Sequence, residues 1–202
     1  MAATARSLSA EIEVEDRLRA EQYQLLAVLL VRPPDEALLG ALRALSGDRT
    51  DLGRALDALG GAARSADLHA VEREYHDLFI GLGRGELVPY GSYYLTGFLN
   101  EKPLAKLRVD MSRLGIGRAD EVKEPEDHIG ALCEMMAGLI LGWFRPPLDL
   151  IGQKAFFDAH LRPWAPRFFE DLEAAKHARL YRPVGTLGRV FVGIEETAFG
   201  MA

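Results

Sequence analysis

The sequence holds a single cysteine, Cys133, in 202 residues. A lone thiol excludes an intramolecular disulfide and falls far short of a cysteine-rich zinc site, which fits a reducing compartment. Long uncharged apolar runs are missing, so no membrane span and no stable membrane insertion are expected. Residues 1–15 have neither an apolar core nor a cationic start, and acids stand at Glu11, Glu13 and Glu15, so no export signal is expected there. A cytoplasmic protein is the resulting expectation. Cationic excess is missing too: 24 Lys and Arg against 30 Asp and Glu leave a net charge of −6. That argues against nucleic-acid binding, which needs a basic face. It is compatible with a cationic peptide partner and equally with acidity that only aids solubility.

Patterns that carry chemistry are sparse. The five histidines, at 69, 76, 128, 160 and 177, stand singly, and no His-Glu-x-x-His pattern pairs two of them. The run Gly81-Leu82-Gly83-Arg84-Gly85 lacks the Lys-Ser/Thr ending of a phosphate loop, and no strand precedes it. Cys133 lies inside an apolar stripe, where packing explains it better than nucleophilic chemistry. No catalytic residue, cofactor or metal is therefore expected. The rival reading is a metal-dependent hydrolase using Glu124, Asp127, His128 and His160 as ligands or as general acid and base. A helical scaffold with some other client is the second alternative.

What the chain does have is apolar residues at helical spacing almost throughout, with little strand-like alternation and no internal repeat. Leu18, Leu25, Leu26, Leu29 and Leu30 face a core from a first helix, and Pro33-Pro34 ends it. Leu38, Leu42 and Leu45 mark a second helix, and Leu52, Leu56 and Leu59 a third that runs to Gly60-Gly61. Val71, Tyr75, Leu78 and Phe79 carry a fourth into the glycine-rich residues 81–85. Leu104, Leu107, Met111 and Leu114 form the next, closed by Gly115 and Gly117. The strongest stripe runs from Ile129 to Trp143 and predicts a central buried helix that Pro146-Pro147 stops. Further helices are expected over 148–161 and 163–175, and a last one carries Leu187, Phe191 and Ile194. The sum is an all-α irregular bundle of about eight to ten helices. Residues 1–16 read as a flexible segment, 17–202 as one helical domain, and the polar stretch near 115–127 as a hinge.

Two segments stand out. In the first, Tyr75-His76-Asp77-Leu78-Phe79 leads through the loop to Val88-Pro89-Tyr90-Gly91-Ser92-Tyr93-Tyr94. Tyrosines can bury a ring against an apolar ligand and keep a hydroxyl for a backbone group, which suits peptide recognition; they can equally line an ordinary core edge. The second is Glu124-Pro125-Glu126-Asp127-His128, directly before the central helix. Proline and acids belong at a helix start, where the dipole favours negative charge. The same carboxylates beside an imidazole can also receive guanidinium groups through charge-assisted hydrogen bonds. Spacing alone leaves both readings open for each segment.

Taken together, the aromatic-flanked Leu-Phe-x-Gly with a downstream Pro-x-x-Ser-x-Tyr, and Glu-Pro-x-Asp-His opening a helix, resemble the paired signatures of the TorD/DmsD/NarJ family of redox-enzyme maturation chaperones. Gln153, Phe156, Phe157, His160, Leu161 and Trp164 are similar to a later motif of that family, so the likeness covers roughly 17–196. Tyr90 stands where many relatives carry tryptophan. The resemblance implies a TorD-like fold and a chaperone that is not an enzyme. Its partner would be the twin-arginine signal peptide, or the amino terminus of the catalytic subunit, of an exported molybdenum-cofactor oxidoreductase. The client classes implied are the DMSO/TMAO reductases, nitrate reductases and formate dehydrogenases, held until their cofactor is inserted. It further implies that Tyr90, Ser92 and Tyr93, with Glu124, Pro125, Asp127 and His128, belong to the peptide-binding and hinge region, and that the chain is a monomer or a homodimer.

Overall fold

Side chains that start helices are set where the sequence changes face. Asp35, Thr50, Asp67 and Asp149 each accept a hydrogen bond from the backbone N–H three residues on, satisfying donors that a helix leaves unpaired at its start. The helices that follow them are α2 (Glu36–Arg43), α3 (Asp51–Arg64), α4 (Leu68–Tyr75) and α8 (Leu150–His160). The remaining ones are α1 (Val14–Val31), α5 (Gly91–Thr96), α6 (Lys102–Leu114), α7 (Ile129–Leu141), α9 (Ala165–Ala174) and α10 (Tyr181–Gly200). The computed structural model describes residues 12–118 and 123–201, so residues 1–11 of the expected flexible segment and 119–122 of the expected hinge lie outside the described residues. Among the described residues there is no strand, only one isolated bridge between Tyr90 and His128.

The central helix is α7. All of its residues except Ala131, Glu134 and Leu141 are buried. It lies antiparallel to α1, with Gly130 at the start of α7 packed on Val31 at the end of α1. On the other side of the core α9 and α10 pair closely, and α3 packs on α10. Burial of side chains such as Phe157, Phe168 and Leu29 contributes roughly 1.5–3 kcal/mol each. The start of α10 is held from a distance: the buried Glu74 carboxylate accepts the amides of Arg179, Leu180 and Tyr181 at 2.6, 3.1 and 2.8 Å. Negative charge at that end also suits the helix dipole. Among the described residues no helix is long and apolar enough to cross a membrane.

Several local expectations change. α3 runs past Gly60-Gly61 to Arg64, because Gly60 is there for close approach and not as a stop: a Cβ on it would lie 2.3 Å from the Leu45 carbonyl oxygen. α7 ends at Gly142, in the left-handed region at φ 77°, before the two prolines, which leaves Trp143 outside the helix and half exposed. Leu18 and Ile194, expected in the core, are exposed. α1 begins at Val14, ahead of the boundary expected at 17. The short α5 falls in a stretch read as loop, and α4 continues into a π-helical turn, His76–Ile80.

Candidate functional site

The two motif segments meet although 34 residues separate Tyr90 from Glu124. The Gly91 amide donates to the Asp127 carbonyl at 2.9 Å and the Ile129 amide to the Pro89 carbonyl at 2.9 Å, zipping residues 89–91 to 127–129. Behind this bridge the Asp127 carboxylate accepts the Ser92 amide at 2.6 Å, starting α5. Both residues are buried, and Asp127 Oδ1 and Ser92 Oγ have no hydrogen-bond partner among the described residues. Ser92 and Asp127 therefore build the junction from inside.

In front of the bridge lies a groove of about 570 Å³. Its floor is α7, through Ala131, Glu134 and Met135. One wall comes from the end of α1 and the π-helical turn, with Val31, Phe79 and Ile80; the other from the end of α6 and residues 116–118 and 124–126, with Met111 and Ile116. Met111 and Met135 have the unbranched, adaptable shape that fits varied apolar partners. The expected hinge thus forms a wall of the groove over its described residues.

Four of the seven expected site residues line this groove: Tyr90, Glu124, Pro125 and His128. The Tyr90 hydroxyl donates to the Glu124 carboxylate, and its ring meets the His128 imidazole edge-on at 5.1 Å. Burial raises the Tyr90 phenol pKa, and the adjacent Glu124 raises it further, so the hydroxyl stays a donor. His128 Nδ1 accepts the Gly130 amide at 3.1 Å and so caps α7, which puts the ring proton on Nε2. Burial lowers its pKa to about 4 despite the opposing pull of Glu124, so the imidazole is neutral at pH 7. Tyr93 lies apart from the groove lining. Its hydroxyl accepts from Arg84, whose guanidinium stacks 5.0 Å above the ring.

The groove's carboxylates differ in what they already hold. Glu126 accepts Arg108 Nε and Nη2 at 3.0 and 2.8 Å and approaches Arg118 Nη1 at 3.5 Å. Burial opposes its ionisation, yet these cations keep its carboxyl below the usual range. Glu124 bonds only a neutral phenol among the described residues. Glu134 was not singled out by motif; it is the one charge in the apolar run of α7, and that interruption was its visible signal. The Glu124, Asp127 and His128 side chains are each directed to a separate partner, and His160 instead meets Asp110 at 2.9 Å. Among the described residues no group of His, Cys, Asp and Glu is arranged to hold a metal ion.

Comparison with known proteins gives a consistent picture. Residues 46–170 match the family model described as nitrate reductase delta subunit. The chaperone protein TorD of Vibrio cholerae is 29% identical over 126 residues, 59% of this chain and 57% of that protein. A protein of Haemophilus influenzae named as a Tat proofreading chaperone, DmsD, is 29% identical over 119 residues, 58% of this chain and 56% of that one. The matched stretch thus spans little more than half the length of these relatives. A solved structure from Archaeoglobus fulgidus, described as a redox enzyme maturation protein, shares the fold with a TM-score of 0.58 at 19% identity, over 93% of this chain and 99% of that one. These relatives are named as chaperones and maturation proteins, not enzymes. The chain belongs to the nitrate reductase delta subunit family, the TorD/DmsD/NarJ group of redox-enzyme maturation chaperones.

Proposed function

We propose that this protein is a cytoplasmic chaperone for an exported molybdenum-cofactor oxidoreductase, and that the groove along α7 takes the client's twin-arginine signal peptide or amino terminus. The observation that carries this is the pairing, in one groove, of apolar walls with Glu124, a carboxylate that no cation occupies among the described residues. A twin-arginine leader offers the complement, guanidinium groups next to an apolar stretch. The apolar stretch lies against Val31, Phe79, Met111 and Met135, while an arginine replaces the Tyr90 hydroxyl on Glu124 or shares that carboxylate with it. Bidentate guanidinium geometry favours arginine over lysine at such a site.

Calorimetric titration with a synthetic twin-arginine leader is expected to show saturable binding, weaker for a lysine-lysine version. Glu124→Gln weakens it by about tenfold, the equivalent of one charge-assisted hydrogen bond. Added salt lowers affinity only in part, because screening over a Debye length of about 8 Å acts on the ionic component and leaves apolar burial intact. Equal affinity for both leaders, unaffected by Glu124→Gln, would sink this reading.

A further inference from the structure

Resting on the peptide reading above, we infer that Glu134 is a second arginine receptor, so that the groove reads the two arginines of a leader at two separate carboxylates, Glu124 and Glu134. Every other residue of α7 is apolar, and the helix is buried along nearly its whole length. A carboxylate in such a helix is usually paired or turned fully to bulk water. Glu134 is exposed, lines the groove, and has no ion-pair or hydrogen-bond partner among the described residues. Its charge is thus available, while that of Glu126 is neutralised by Arg108 and Arg118.

Consecutive side chains of an extended segment point to opposite faces, and in a helix they diverge by about 100°, so adjacent arginines do not converge on one carboxylate. They call for receptors on different parts of the groove. Glu124 belongs to the wall and Glu134 to the floor, roughly 9 Å along the α7 axis from His128 at ~1.5 Å per residue. That spread suits long guanidinium side chains leaving neighbouring positions. Glu134 is therefore a specificity-determining residue for a pair of arginines over a single one.

The test uses the full-length chain and four leaders identical except at the pair: Arg-Arg, Arg-Gln, Gln-Arg and Gln-Gln. The shared apolar stretch fixes the register. Wild type binds Arg-Arg more tightly than either single-arginine leader, by about tenfold. Glu134→Gln loses about that factor on Arg-Arg and on one single-arginine leader, and leaves the other and Gln-Gln unchanged. Glu124→Gln gives the mirror pattern. Glu134→Gln binding all four as wild type does, or losing equally on all four, overturns the assignment while the peptide reading stands. Failure of the wild type to prefer Arg-Arg over Gln-Gln overturns the peptide reading and this assignment together.

Discussion

Replacing Glu195 with alanine lowers the free energy of unfolding by about 3–5 kcal/mol, the effect of removing one partner of a buried ion pair. Glu195 lies on α10 and is 1% exposed. Its Oε1 accepts Arg19 Nε at 2.7 Å, and its Oε2 accepts Arg19 Nη2 at 2.8 Å and the Tyr23 hydroxyl at 2.9 Å. Arg19 also reaches Asp16 at 2.6 Å and Gln153 at 2.8 Å, and its guanidinium stacks 5.1 Å from the Phe199 ring. One cluster thus ties α1, α8 and α10 together. Burial disfavours the charged guanidinium, but the Glu195 carboxylate outweighs it and raises the Arg19 pKa above the ordinary value. Without Glu195, a largely buried cation keeps only Asp16 and Gln153 on one nitrogen, and the buried Tyr23 phenol loses its acceptor. Removing both partners at once, as Arg19→Leu with Glu195→Leu, restores much of the loss, since apolar side chains of similar volume replace buried pairs at little cost. Denaturant titration of the single and double variants checks both statements. A single-variant loss below about 1 kcal/mol would show that the cluster is bridged by solvent and contributes no more than a surface pair.

Acid should destabilise the fold before the carboxylates titrate. The unfolded imidazole of His128 takes up a proton near pH 6.5, the folded one only near pH 4. Between those values the unfolded state binds more protons, so stability falls as pH drops through the window, by about 3 kcal/mol at its lower end. His160 adds in the same direction: burial lowers its pKa, with Asp110 opposing. Carboxylates held below their usual range, such as Glu126, lose their contribution only as pH falls below about 4.3. His128→Asn keeps an acceptor for the Gly130 amide and removes the titrating ring, so its stability is flatter between pH 6.5 and 4.5. Thermal melting of both proteins across that range makes the comparison. An unchanged slope in the variant would mean that His128 is solvated in the folded chain. Peptide affinity should stay level from pH 6.5 to 8, because the imidazole facing the groove is neutral throughout.

Helical periodicity in the sequence identified which residues share a face, and α7 shows how far that carries: the stripe from Ile129 to Ile140 is the core helix. Periodicity does not reveal how far a neighbouring helix extends, so Leu18 and Ile194 fit their stripes yet remain exposed. Glycine was ambiguous for a related reason. Gly142 ends a helix by adopting a left-handed backbone, whereas Gly60 sits inside α3 to admit the Leu45 carbonyl, and only the tertiary contact distinguishes them. α5 is six residues long, too short for a periodic signal, and depends on the Asp127 carboxylate for its start.

The candidate site was legible as two motifs but not as one surface. Local sequence around Tyr90 and around His128 contains nothing that predicts their backbone bridge. Nor does it separate Asp127, which points inward to Ser92, from Glu124, which faces the groove. The likeness to the maturation chaperones brought the segments together. Burial then sorts their residues into those that build the junction and those a peptide can touch.

Hydrogen exchange read by mass spectrometry, with and without a saturating twin-arginine leader, reports whether a peptide occupies the groove along α7. A leader seated in the groove slows exchange at the end of α1 and across residues 88–96 and 123–135, with little change at the α9–α10 connection around 175–181. Protection confined to that connection, or none at saturation, would contradict the groove as the binding site.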